Sequence, residues 1–255
     1  MRIEVEAPGR EPRDVSRQAG DMTVAGVAKA FGEVEALAGV SLRVPAGRTV
    51  AVVGPSGCGK STLLEIVCGL QRPDAGTVHA PAAALMPQRD GLLPWLSALD
   101  NAALAMRLAG APRAGARAAA AEHFAHFGLA GFERTRPREL SGGMRQRVAF
   151  VRTLLAGRPV LCLDEPFGAL DALTRSRMQA WLAAALAEEP RTVLLVTHDV
   201  EEAVLLADEV VLLSARPGRD VARLEVPIER PRHRSDLAIV ELRERALRML
   251  EEAGA

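Results

Sequence analysis

The stretch Gly54-Pro55-Ser56-Gly57-Cys58-Gly59-Lys60-Ser61-Thr62 has the spacing G-x-x-x-x-G-K-S/T. It follows the apolar run Thr49–Val53 and precedes Leu63–Val67, the context of strand, tight loop and helix in which this pattern binds phosphate. The glycines let the backbone curl so that successive N–H groups face an anion at the start of the next helix. Lys60 would reach the β- and γ-phosphates, and the Ser61 hydroxyl would ligate Mg²⁺. Lys29 and Lys60 are the only lysines among 32 basic residues, so a lysine inside the loop is a pointed choice.

Three further clusters could complete a hydrolytic chemistry. Val160–Leu163 is fully apolar and runs into Asp164-Glu165-Pro166, which puts two carboxylates at the carboxyl end of a buried strand, where parallel sheets bind ligands. Asp164 is the candidate for holding Mg²⁺, and Glu165 for polarising an attacking water. His198 follows another apolar strand, Thr192–Thr197, and could contact the γ-phosphate or the water; a purely structural histidine is the alternative. Ser141 precedes Gly142-Gly143 at the start of a helix, a second place where open N–H groups could meet an anion.

The elements that must position these groups alternate between strand and helix. Strand-like segments are expected at Met22–Ala28, near Val34–Leu37, at Val40–Val44, Arg48–Val53, Thr77–His79, Ala83–Met86, Val160–Leu163, Thr192–Thr197, Asp208–Leu213 and Val221–Val226. A turn is expected over Lys29–Gly32. Helices are expected from Lys60 to near Gly69, over Ala98–Ala109, onward to Phe127, through Leu155, over Leu173–Ala187 and over Glu201–Leu206. Those between Met86 and Val160 form an inserted helical subdomain, about residues 89–157, within an α/β domain spanning 21–230. The tail 231–255 reads as an amphipathic helix on the same domain, and residues 1–20, without either period, as a mobile leader. Phe31 could stack on a flat base or fill a core.

Length and composition set the limits. At 255 residues and 49% hydrophobic content the chain can bury one large core with an insertion. Basic and acidic residues are both 32, so no overall field argues for a nucleic-acid partner. The three cysteines lack metal or disulfide spacing, which suits a reducing compartment. Neither a secretory leader nor an apolar run long enough to span a bilayer is legible, so work at a membrane would come through a partner.

With these motifs in order, residues 22–226 resemble the ATP-binding subunit of ABC transporters. Gly54–Thr62 is similar to the Walker A loop, Gln88 to the Q-loop glutamine, Leu140–Gln146 to the signature, Leu161–Pro166 to Walker B, Asp171 to the D-loop aspartate, His198 to the switch histidine and Phe31 to the aromatic A-loop position. The resemblance implies a P-loop NTPase core of mostly parallel sheet, an antiparallel β subdomain and the helical insertion. It also implies ATP and Mg²⁺ as ligands. Gly54–Thr62, Phe31, Ser141, Gly142, Gly143, Gln146 and Asp171 would bind nucleotide; Lys60, Gln88, Glu165 and His198 would be catalytic; Ser61, Gln88 and Asp164 would hold the metal. Two copies would sandwich two ATP molecules and drive membrane permease subunits at the cytoplasmic face of a bacterial inner membrane, with a periplasmic or lipoprotein binding protein choosing the solute.

Met86–Trp95 (MPQRDGLLPW) and Ser214–Arg219 (SARPGR) resemble importers of nitrate, sulfonate, taurine, bicarbonate and pyrimidine thiamine precursors. The competing function is a soluble ATP-dependent clamp or regulatory protein of the same family. Two local expectations follow. Cys58, at a helix start beside Lys60, would be the most reactive thiol. Trp95 would either anchor a permease helix or fasten the insertion to the core.

Overall fold

The computed structural model describes residues 20–188 and 190–253; apart from Gly20, the expected leader lies outside them. Nine strands and eight α-helices follow one another in the described residues. Strands β1 (Met22–Phe31), β2 (Val34–Val44) and β4 (Ala75–His79) form an antiparallel sheet in the order β2-β1-β4. Strands β3 (Thr49–Val53), β5 (Ala83–Met86), β6 (Val160–Asp164), β7 (Thr192–Thr197), β8 (Glu209–Leu213) and β9 (Asp220–Glu225) form the other sheet, ordered β5-β6-β7-β3-β8-β9. All its pairings are parallel except β8–β9.

The central strands are buried along their whole length because both faces are covered. Period-two alternation sorts their side chains into two cores. Ala51, Val53, Leu161, Leu163, Val193, Leu195, Val210 and Leu212 face the larger core, shared with helices from the insertion and from the second half of the chain. Val50, Val52, Val160, Cys162, Leu194, Val196, Val211 and Leu213 face the other, made with α1 (Lys60–Val67) and the antiparallel sheet. Helix α1 is thus enclosed between two sheets, and its N-terminus is presented at the strands' carboxyl ends.

Between β5 and β6 lie α2 (Ala98–Ala102), α3 (Leu104–Leu108), α4 (Arg113–His126) and α5 (Gly142–Leu154). After β6 come α6 (Ala172–Glu188), α7 (Val200–Leu206) and α8 (Leu237–Glu252). Three local readings change. The turn expected over Lys29–Gly32 is strand up to Phe31, because Asp74 accepts from Lys29 Nζ at 2.8 Å and from the Ala30 amide at 2.7 Å. The two strands expected over 34–44 are one, bent by pairing irregularities along β1 that break the simple alternation. The helix expected over Ala98–Ala109 is interrupted at Ala103 into two short ones.

Candidate active site

Helix α1 opens directly from the phosphate loop. Gly59 has φ of 99°, and a Cβ there would stand 2.7 Å from the Ala36 carbonyl and 2.6 Å from Leu37 Cδ2, so the loop closes only with glycine at this point. Lys60 is buried, and its Nζ donates to the carbonyls of Gly54 at 2.7 Å and Pro55 at 2.8 Å. Its aliphatic stem is held inside and its ammonium lies across the mouth of the loop. A cleft of about 390 Å³ opens there, lined by Ser56, Gly57, Gly59, Lys60, Ser61 and Thr62 on one side and by Phe31, Val34 and Ala36 on another. Phe31 is half exposed at the edge of the cleft, with Lys29 Nζ over its ring at 5.5 Å from the centroid, so it is not core filler.

Gln88, from the end of β5, and Glu165, from the end of β6, complete the cleft wall. Gln88 Nε2 donates to Glu165 Oε2 at 3.2 Å, and His198 Nδ1, just past β7, lies 3.2 Å from Glu165 Oε1. Three adjacent strands therefore converge on one carboxylate. Glu165 itself has φ of 46°, the only left-handed non-glycine among the described residues. Its amide donates to Val196 O at 2.8 Å, and its carbonyl accepts from Gln146 Nε2 at 2.9 Å and from the Gly168 amide at 3.1 Å. Backbone held in such a conformation by surrounding bonds is characteristic of functional positions.

Asp164 is buried, and burial pushes its carboxyl above the usual range, with the Ser61 hydroxyl pulling it back and Glu165 adding to the rise. Ser61, Asp164 and the Gln88 amide are hard oxygen donors, which suits Mg²⁺. Among the described residues no cluster of three or more His, Cys, Asp or Glu could cage an ion by itself, and Mg²⁺ usually takes one or two protein ligands and fills its shell with phosphate and water.

Ser141, Gly142, Gly143 and Asp171 do not line this cleft. Ser141 caps α5, its Oγ accepting from the Met144 amide at 3.2 Å, with Gly142 and Gly143 in the first helical turn. Asp171 accepts from the Thr174 amide at 3.0 Å at the start of α6. Gln146 does not line this cleft either: it is buried, and its amide bonds Glu165 O at 2.9 Å and the Ala169 N–H at 3.0 Å. It ties α5 to the Glu165 backbone. Nothing in the sequence pattern separates it from its signature neighbours, because its partners lie about twenty residues away.

The expectation for Cys58 is also corrected. The thiol is 1% exposed, and burial pushes it up more strongly than nearby Lys60 lowers it. Cys68 is the partly exposed cysteine, and a hydrogen bond with buried Cys162 pulls it down.

Beyond Gln88 the chain is fastened to α5. Arg145 Nε donates to Asp90 Oδ2 at 2.9 Å, and Arg152 donates to the Asp90 carbonyl at 2.7 Å and the Gly91 carbonyl at 2.8 Å. Buried Asn101, which no motif announces, holds the next segment through Leu93 N at 2.8 Å and the carbonyls of Leu93, Leu96 and Ser97. On this fixed loop Trp95 is 66% exposed, so it does not fasten the insertion to the core. An open groove of about 440 Å³ is lined by Leu70, Leu85, Leu104, Leu108, Arg152 and Arg158, with Pro87 and Gly91 of the same loop at its edge.

The family pattern described as ABC transporter matches residues 37–168. The aliphatic sulfonates import ATP-binding protein SsuB 1 of Rhodococcus jostii is 45% identical over 240 residues, 91% of this chain and 94% of that protein. The taurine import ATP-binding protein TauB of Chromobacterium violaceum is 48% identical over 204 residues, 76% of this chain and 78% of that protein. Among solved structures, the dimeric post-hydrolysis state of the ATP-binding cassette MJ0796 bound to ADP and Pi superposes with TM-score 0.75 at 28% identity, covering 82% of this chain and 100% of that one.

Proposed function

Since the chain belongs to the ABC transporter family as an ATP-hydrolysing subunit that powers an importer, we propose that the cleft between Phe31 and Glu165 is where ATP is bound and cleaved, and that the imported solute is a small organic sulfonate such as taurine. The observation that carries the site is the meeting of Gln88 and His198 on the two oxygens of Glu165, opposite the phosphate loop. The substrate class rests on the names of the two relatives.

The Phe31 ring stacks the base, and the amides of the loop with Lys60 bind the phosphate chain. Ser61 and Asp164, with Gln88, would hold Mg²⁺, and that ion would supply positive charge against the phosphates. Glu165 accepts a hydrogen bond from the attacking water and draws off its proton as the new P–O bond forms, while the bond from the γ-phosphorus to the β–γ bridging oxygen breaks and ADP leaves with that oxygen. Gln88 and His198 keep that carboxylate oriented, one on each oxygen. Ser141, Gly142 and Gly143, with Asp171, meet the nucleotide of a second copy, which accounts for their absence from this chain's own cleft.

The apolar groove and exposed Trp95 receive a short cytoplasmic helix of a permease. No helix of the described residues is long and apolar enough to cross a membrane, and attachment to the cytoplasmic face of the inner membrane comes through that partner. The test is ATP binding and phosphate release by the purified chain beside Lys60→Ala, with taurine uptake by the reconstituted complex. Binding and turnover lost in Lys60→Ala, with uptake dependent on taurine, support the reading; a Lys60→Ala chain that still binds and hydrolyses ATP normally removes the site.

A further inference from the structure

The turn Ser214–Arg219 joins β8 to β9 at the same end of the sheet as the phosphate loop, because β8 is the parallel neighbour of β3. It is closed on itself: Ser214 N donates to Arg219 O at 3.0 Å, and Ser214 Oγ bonds Pro217 O at 3.0 Å and the Arg219 amide at 3.1 Å. It is also locked to β2, with Gly218 N donating to Ala36 O at 2.9 Å and Ala38 N donating to Gly218 O at 3.0 Å. Gly218 is pressed so closely on the phosphate loop that a Cβ would stand 2.1 Å from the Cys58 carbonyl. Such a turn moves with the loop, and it is a rigid base for whatever it carries.

It carries Arg216. Arg216 lines the cleft with Ser56, Gly57 and Lys60, and among the described residues Lys60 and Arg216 are the only basic ones lining it. Among the described residues, no hydrogen bond or ion pair engages the Arg216 guanidinium, whereas Arg145, Arg147, Arg152 and Arg232 are each held by at least one backbone carbonyl. A five-donor fork on a fixed turn, left unengaged beside a loop built to hold phosphate, matches a polyphosphate. We propose that Arg216 is a second cationic contact for the phosphate chain of the nucleotide, presented by the turn and acting beside Lys60. This rests on the reading of the cleft as the ATP site. The proposal gives the Ser214–Arg219 turn a direct place in the site, so that nucleotide bridges β2, the phosphate loop and the β8–β9 turn.

The test is equilibrium binding of MgADP and of inorganic tripolyphosphate to wild type, Arg216→Ala, Arg216→Lys and Arg219→Ala, with Lys60→Ala as the reference for the loop. Arg216→Ala is expected to weaken both ligands by a similar factor of about ten, the scale of one charge-assisted contact. Arg216→Lys recovers part of the loss, Arg219→Ala binds as wild type, and all three melt with the wild type. Unchanged affinity in Arg216→Ala overturns the proposal. So does a loss for MgADP with tripolyphosphate unaffected, which puts the guanidinium on base or ribose, and so does an equal loss in Arg219→Ala, which makes the effect one of general charge. If Lys60→Ala binds MgADP as tightly as wild type, the cleft itself is misassigned and both readings fall; if Lys60→Ala loses binding and Arg216→Ala does not, only the Arg216 contact falls.

Discussion

Glu165 combines an uncommon backbone conformation with side-chain partners from two other strands, and Gln146 is what its carbonyl leans on. Gln146→Ala would remove one of the two donors to the Glu165 carbonyl and the acceptor of the Ala169 amide, both bonds part-buried. A loss of about 1–3 kcal/mol of stability is expected, with turnover reduced and MgADP affinity kept; calorimetric binding beside phosphate release checks it, and intact turnover would show that Gln146 has no hold on Glu165. The cysteines give a second residue-scale prediction. Maleimide is expected to modify Cys68 before Cys58 or Cys162, because Cys68 is the partly exposed thiol and its pKa is lowered, while the other two are buried and raised. Peptide mapping that finds Cys58 labelled first would contradict the burial of the phosphate loop.

At the scale of elements, the join between α6 and α7 contains a buried carboxyl. Glu202 on α7 is 4% exposed; its Oε2 accepts from Gln179 of α6 at 3.2 Å, and Gln179 in turn accepts from Arg234 at 2.6 Å. Burial, and after it the Asp199 carboxylate, push Glu202 up to about 7, against smaller opposing effects of Thr197, Gln179 and Arg175. The folded pKa lies above the unfolded one, so between about 4.5 and about 7 the unfolded chain loses a proton that the folded chain keeps. Stability therefore falls as pH rises through that window, by an amount of the order of 3 kcal/mol. Glu202→Gln is expected to raise the urea midpoint at pH 8 and to leave it nearly unchanged below the window; equal midpoints at pH 8 would dismiss the buried charge.

What could be read in advance follows from the range of the interactions. The phosphate loop, the acidic strand end and the alternating buried strands are set by residues within a few positions of one another, so their spacing is enough. Asp74 extending β1, Asn101 holding the loop of Trp95 and Gln146 bracing Glu165 act over 4 to 45 positions, and each looks like an ordinary polar residue in the sequence. The broken helix at Ala103 is hidden for another reason, since the alanines around it have high helix propensity and the local preference is overridden by packing.

For the whole molecule, the cleft proposed for nucleotide and the largely apolar groove are linked by the segment that starts at Gln88. Arg145 and Arg152 fix that segment to α5, whose first turn carries Ser141, Gly142 and Gly143. On the proposed function, a shift at Gln88 would be passed both to the groove and to the face proposed to meet a second copy. Trp95→Ala is expected to leave the melting temperature and basal hydrolysis of the isolated chain unchanged, because the ring is mostly exposed. Permease capture should fall by about tenfold or more, as for an aromatic anchor. A large melting loss with normal capture would reverse that assignment.

The central claim is that Glu165 draws the proton from the water that attacks ATP, and Glu165→Gln tests it most directly, measured as MgATP binding, phosphate release and oligomeric state on the same preparation. The account expects near-native binding, turnover lower by about 10² to 10⁴, and a dimer that persists with MgATP because hydrolysis no longer opens it. Phosphate release within about twofold of wild type, below even the smallest loss expected for a removed base, would contradict it.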